Sequence, residues 1–111
     1  MLKKEVLREK GDFSRLYNKG KSAGGKYLVL FYIKNEYGYT RRAFLASKKV
    51  GNSVKRNRAR RLIRESFRSM ETEIATGYDI LFIARNTIEG MHFQDVEKSM
   101  KTLLAKSGLL I

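Results

Sequence analysis

Apolar residues recur along the chain with two different periods, and the changes between them mark the elements. In G-D-F-S-R-L-Y-N-K-G, Phe13, Leu16 and Tyr17 stand at i, i+3 and i+4. That spacing predicts a short helix over 13–19, with Asp12 as N-cap and Gly20 closing it. Residues 26–34, K-Y-L-V-L-F-Y-I-K, change to a period of two. Tyr27, Val29, Phe31 and Ile33 point one way, and Leu28, Leu30 and Tyr32 the other. N-E-Y-G-Y-T over 35–40 has the composition of a hairpin loop, with a second strand over about 41–47. Asn52 or Ser53 can cap a helix from about 54 to 70. Y-D-I-L-F-I-A, Tyr78 to Ala84, is nearly continuous in apolar residues, as a central strand buried on both faces would be. Phe93, Val96, Met100, Leu103 and Leu104 form the stripe of a last helix over 92–106. The order αββαβα predicts the α+β class: a sandwich of a small sheet packed with helices. There is no proline, repeat, low-complexity tract or linker, and 111 residues make one domain, 1–111.

Composition narrows the function. Twenty-four Lys and Arg face 11 Asp and Glu, a net charge of +13. Such an excess repels itself in a compact domain and points to an anionic partner. With no cysteine there is no disulfide scaffold, thiolate metal site or cysteine nucleophile. One histidine, His92, gives no pair for zinc and little for general-base chemistry. Six Phe and six Tyr argue against a disordered basic tail. M-L-K-K-E-V-L-R-E-K has no apolar core, and no apolar run approaches the length of a membrane span. Neither a signal peptide nor a membrane partner is expected, and the expected compartment is the cytoplasm.

The charge is concentrated. Residues 41–68 carry 11 basic side chains against one acid, Glu65, and so hold +10 of the +13. On a helical wheel, Ala59, Leu62, Ile63, Ser66, Phe67 and Met70 share an arc of about 140°, the face the core needs. Asn57, Arg60, Arg61, Arg64 and Arg68 fill an arc of about 100° opposite. Arg56/Arg60, Arg60/Arg64 and Arg64/Arg68 are like charges at i, i+4, and Lys55 and Arg56 oppose the helix dipole. Together these cost roughly 1–3 kcal/mol locally. A cationic face is ordinarily just solvated, but the missing carboxylates weaken that explanation here. Arginine binds phosphate bidentately and stacks on bases, which favours nucleic acid. A membrane-surface helix would need the apolar face that the core claims.

S-K-K-V-G-N-S-V-K-R-N-R-A-R-R-L-I-R-E-S-F-R, Ser47 to Arg68, resembles the protein component of bacterial ribonuclease P. Its mark is the Arg-Asn-Arg helix, here Arg56, Asn57 and Arg58, followed by Arg60, Arg61 and Arg64. Gly11–Gly20 resembles the family's first helix with paired aromatics, and Tyr78–Arg85 its last strand and following arginine. The resemblance implies an αβββαβα-type fold, with one more strand than the periodicity gives before the basic helix. It also implies a left-handed crossover through that helix, against the usual rule. It implies a subunit that binds a catalytic RNA and the 5′ leader of precursor tRNA, supporting magnesium-dependent removal of that leader. The magnesium is then held mainly by the RNA, the protein carries no catalytic residue, and no protein partner is implied.

Residue by residue, the resemblance assigns Arg56, Asn57, Arg58, Arg60, Arg61 and Arg64 to the catalytic RNA. Arg60 lies nearest the apolar edge and can instead pack its stem there. It assigns Phe13, Tyr17 and Phe31 to a leader cleft between the first helix and the sheet, with Ser47, Lys48, Lys49 and Arg85 along the same path. Aromatic platforms beside cations suit single-stranded RNA without fixed sequence. The competing reading is core packing, the commoner fate of an aromatic pair at i, i+4. Asp79 and Glu89 are the only candidates noted for an ion, and neither is assigned a site. Two other functions stay open at this point: a general RNA-binding or ribosome-associated module, and an intrinsic nuclease, which the lone histidine disfavours.

Overall fold

The chain's fold is described by a computed structural model covering residues 4–111. Three helices and four strands follow in the order α1 (Lys10–Lys19), β1 (Lys21–Gly24), β2 (Leu28–Lys34), β3 (Arg41–Ala46), α2 (Ser53–Ser69), β4 (Tyr78–Ala84) and α3 (Phe93–Lys106). The α+β class holds, and the order is αβββαβα. The additional strand is β1, K-S-A-G, a polar four-residue edge whose side chains are mostly exposed. It has no hydrophobic alternation to detect, and short polar edges are how sheets resist pairing with other chains.

The sheet order is β1-β2-β4-β3. β1 and β2 form the antiparallel hairpin, and β4 runs antiparallel to β2 and parallel to β3. Residues 35–40 are therefore not a hairpin loop, because β4 lies between the strands they connect. The reason is burial: Ile80, Leu81 and Phe82 are fully buried, which suits a strand paired along both edges in the middle of the sheet, where helices can cover both of its faces. The parallel pair β3 and β4 is joined through α2.

The two faces of the sheet differ. On one, Leu28, Leu30, Ile80, Phe82 and Ala84 pack against Ala59, Leu62, Ile63 and Phe67 of α2 and Val96, Met100, Leu103 and Leu104 of α3. Every core position read from the α2 wheel is buried, including Ser66, whose hydroxyl donates to Leu62 O at 2.8 Å. On the other face, α1 is the only helix among the described residues. It covers Ala43 and Leu81 with Leu16, and leaves Phe13, Phe31, Ile33 and Ile83 half-buried. This incomplete cover makes the cleft.

α1 begins earlier than the sequence predicts, with Glu9 rather than Asp12 at the N-cap. Asp12 instead points at the sheet, where Arg41 Nη2 donates to its Oδ1 at 3.1 Å. Arg41 also donates through Nε and Nη2 to Asp79, at 2.9 and 2.6 Å. Asp79 is fully buried and accepts a third hydrogen bond from Asn35 Nδ2 at 2.9 Å. The hydrogen bonds to Asp79 are the main reason the Arg41 guanidinium is held above its ordinary pKa, against partial desolvation. Both ends of the 35–40 connection thus hold the start of β4, and one of them also holds α1.

Candidate nucleic-acid interface

Asn52 caps α2, its Oδ1 accepting from Lys55 N at 3.0 Å, so the cap is Asn52 rather than Ser53. The buried face then fixes which side chains look outward. Asn57, Arg58, Arg61, Arg64 and Arg68 are exposed; Arg56 and Arg60 are partly covered, as the wheel position of Arg60 implies. Their engagements differ. Arg58 Nη2 donates to Met91 O at 2.6 Å, and Lys55 pairs with Glu89 at 2.5 Å. These two cations fasten the first turns of α2 to the segment before α3. Arg56 Nη2 donates to Ser53 Oγ at 3.3 Å, and Arg60 to Asn57 Oδ1. Arg61, Arg64 and Arg68 have no ion-pair or hydrogen-bond partner for their side chains among the described residues, and Glu65 pairs with none of them. Arg68 stands on the cationic face of the wheel but outside the residues the resemblance assigns.

The leader-cleft residues fall into two groups. Tyr17 of α1 meets Phe31 of β2 on the open face, their rings edge-to-face at 5.1 Å, and Phe13 packs on the same face, toward β3. Tyr17 is 47% exposed, which simple core packing does not require. Ser47, Lys48, Lys49 and Arg85 gather elsewhere, just beyond one end of the sheet. Ala46 pairs with Ala84 in register, so Ser47 and Arg85 each follow the last residue of neighbouring parallel strands. Ser47, Lys48 and Lys49 are exposed, while Arg85 Nη1 donates to Gly25 O at 3.0 Å. Between the two groups lie Val29 and Ile83, partly covered, and Leu45, 37% exposed. These three complete an apolar floor that sequence reasoning missed. The only signal for it was that Val29 alternates in phase with Phe31.

A groove of about 420 Å³ brings the two surfaces together. Phe13 and Leu45 line one side and Arg64 and Arg68 the other, with β3 as the edge between them. The aromatic cleft and the cationic helix are therefore adjacent around one sheet edge.

Asp79 and Glu89 are not brought together. Asp79 lies at the start of β4 with both oxygens engaged by Arg41, and Glu89 lies beyond the other end, paired with Lys55. Among the described residues no three His, Asp or Glu side chains converge as metal ligands would. His92 is the N-cap of α3, its backbone N–H donating to Asp95 Oδ2 at 3.0 Å. No helix among the described residues is long and apolar enough to cross a membrane.

A basic α+β domain with unpaired arginines along one helix and a half-open aromatic sheet face is, as a class, a binding protein for RNA. Residues 1–108 match the sequence profile of the family described as Ribonuclease P. The ribonuclease P protein component of Clostridioides difficile (strain 630) is 42% identical over 106 residues, covering 95% of this chain and 93% of that protein. That of Thermoanaerobacter sp. (strain X514) is 41% identical over 103 residues, covering 93% and 89%. The ribonuclease P protein structure from Staphylococcus aureus superposes with a TM-score of 0.88 at 31% identity, over 98% of this chain and 100% of that one. That from Thermotoga maritima gives 0.84 at 32% identity, over 93% and 97%. The chain belongs to the ribonuclease P protein family: it is an RNA-binding subunit of the metal-dependent ribonucleoprotein that matures the 5′ end of tRNA.

Proposed function

We propose that the chain docks on the catalytic RNA of ribonuclease P through α2 and holds the 5′ leader of precursor tRNA on the open face of its sheet. Arg61 and Arg64 are the principal phosphate contacts to the catalytic RNA, with Arg56, Asn57, Arg58 and Arg60 around them. Phe13, Tyr17 and Phe31 offer rings to leader bases, and Ser47, Lys48, Lys49 and Arg85 receive its backbone where the sheet ends. The observation that carries this reading is the row of unpartnered arginines lying directly around the β3 edge from half-exposed aromatics. Two RNA segments can then be held side by side on one small protein.

In this reading the magnesium ions that cleave the leader sit on the RNA. The two carboxylates considered for a protein site lie at opposite ends of β4 and already hold Arg41 and Lys55. The protein's contribution is affinity and position. The substrate, a newly transcribed RNA, makes the cytoplasm the working compartment.

Reconstitution tests this. The protein alone is expected to leave precursor tRNA uncut and, mixed with the catalytic RNA, to restore cleavage at low magnesium. Absence of any stimulation would overturn the proposal. A general RNA-binding module would instead bind leader-bearing and leaderless tRNA equally. At the level of one residue, Phe13→Ala is expected to weaken leader-bearing substrate by the worth of one stacked base, about 1–3 kcal/mol, and mature tRNA much less. Equal losses on the two substrates would remove Phe13 from the leader cleft.

A further inference from the structure

The polar end of the sheet does not stop at Arg85. Leu28 of β2 pairs with Ala84, and Gly24 of β1 pairs with Val29. Ser47, Arg85 and Tyr27 therefore lie in one row across the sheet, each a step past its strand, and Gly25 of the β1–β2 turn stands beside that row, level with Leu28. Beyond Gly25 the row opens into a cavity of about 370 Å³ between the β1–β2 turn and α3. Its lining includes Lys26, Lys98, Lys106, Ser99 and Tyr27.

Three features set this cavity apart from ordinary solvated surface. First, none of its three lysines has a carboxylate within ion-pair distance among the described residues. Lys101 on the same helix does, 3.7 Å from Glu73. Asp95, the one acid on the lining, has an oxygen committed to the start of α3. Second, the site is concave, which concentrates the field of its charges. Third, it is continuous with Arg85. A Cβ on Gly25 would lie 2.8 Å from Leu103 Cδ1, so the turn is pressed onto α3. A Cβ on Gly24 would lie 3.9 Å from Arg85 Nη1, so the guanidinium rests against the same turn.

We propose that this cavity is a phosphate-binding subsite that extends the leader track past Arg85, its ligand the ribose-phosphate backbone of single-stranded RNA. The proposal rests on the leader path described above. Lysine suits it: a hydrated point charge on a flexible stem neutralises phosphate without demanding a sequence. Ser99 can donate to a phosphate oxygen, whereas the nearby Thr102 hydroxyl is already donating to Lys98 O at 3.0 Å. Tyr27 is the one ring on the lining, partly covered and 5.9 Å from the Lys26 ammonium.

The test is binding by the reconstituted holoenzyme of precursor tRNAs whose leaders range from none to about 15 nucleotides, a span comparable with known single-strand sites. Lys98→Ala/Lys106→Ala removes two exposed cations, and Lys98→Arg/Lys106→Arg restores the charge. The alanine pair is expected to match the unmodified protein on leaderless and short-leader substrates. On the longest leader it should lose about tenfold in affinity and about 1–2 in the slope of log K against log salt, with the arginine pair restoring both. Equal binding of the longest leader by both proteins would make these lysines merely solvated and overturn the proposal. An equal loss on leaderless tRNA would also overturn it, by assigning the cavity to structured RNA. Phe13→Ala run alongside keeps the two ideas separable. If short-leader discrimination survives that change, the cleft reading fails, whatever the lysines do.

Discussion

An Arg61→Ala/Arg64→Ala double variant is expected to bind the catalytic RNA about 10–100-fold more weakly at physiological salt, with a salt slope shallower by about 2. These two are chosen because their guanidiniums have no partner within the protein among the described residues. Their loss should cost phosphate contacts and nothing else. Arg58→Ala would be ambiguous, since it also removes the bond to Met91 O. Folding offers an internal control. Arg64 stands four residues from both Arg60 and Arg68, and each like-charge pair costs a few tenths of a kcal/mol. Removing it should leave the thermal midpoint unchanged or slightly higher while RNA affinity falls. That opposite movement separates a docking role from a structural one. An unchanged salt slope would mean the two side chains are only solvated.

What could be read beforehand follows the range of the interactions. The α2 wheel separated core from surface correctly because each helix face is set by residues three or four apart. β4 could be read as central because its own composition demands cover on both sides. Sheet order could not, since nothing within 35–40 shows that a strand forty residues later will lie between its neighbours. Asp12 looked like a cap because its true partner, Arg41, is 29 residues away. Phe31 was ambiguous in a strand apolar on both faces, and only the incomplete cover by α1 makes its face the open one. Lys98 and Lys106 fall on the exposed side of α3, as any cation of an amphipathic helix would. Their distinction arises where α3 meets the β1–β2 turn, a meeting that helical periodicity does not encode.

Asp79→Ala is expected to have the largest effect on stability. The carboxylate is fully buried and holds Arg41 and Asn35 together. Deleting one partner of a buried ion pair costs about 3–5 kcal/mol, because the other is left desolvated. The lower end is expected here, about 3 kcal/mol, since Arg41 keeps Asp12. For a domain of this size that lowers the thermal midpoint by more than about 10 °C. Asp12→Ala alone should cost about 1 kcal/mol, its side chain being partly exposed and the stronger pair intact. The double variant should lose more than the two single losses combined, because each remaining carboxylate partly compensates for the other through Arg41. Simple additivity in denaturant midpoints would show that the carboxylates do not act through one guanidinium. The same network bears on function. Asp12 and Phe13 are neighbours on α1, and Arg41 ties that turn to the centre of the sheet. Asp12→Ala, assayed where it stays folded, is therefore expected to reduce discrimination for leader-bearing tRNA while leaving the salt slope on the catalytic RNA unchanged. Loss of both together would mean that the network holds the whole fold rather than the position of the leader cleft.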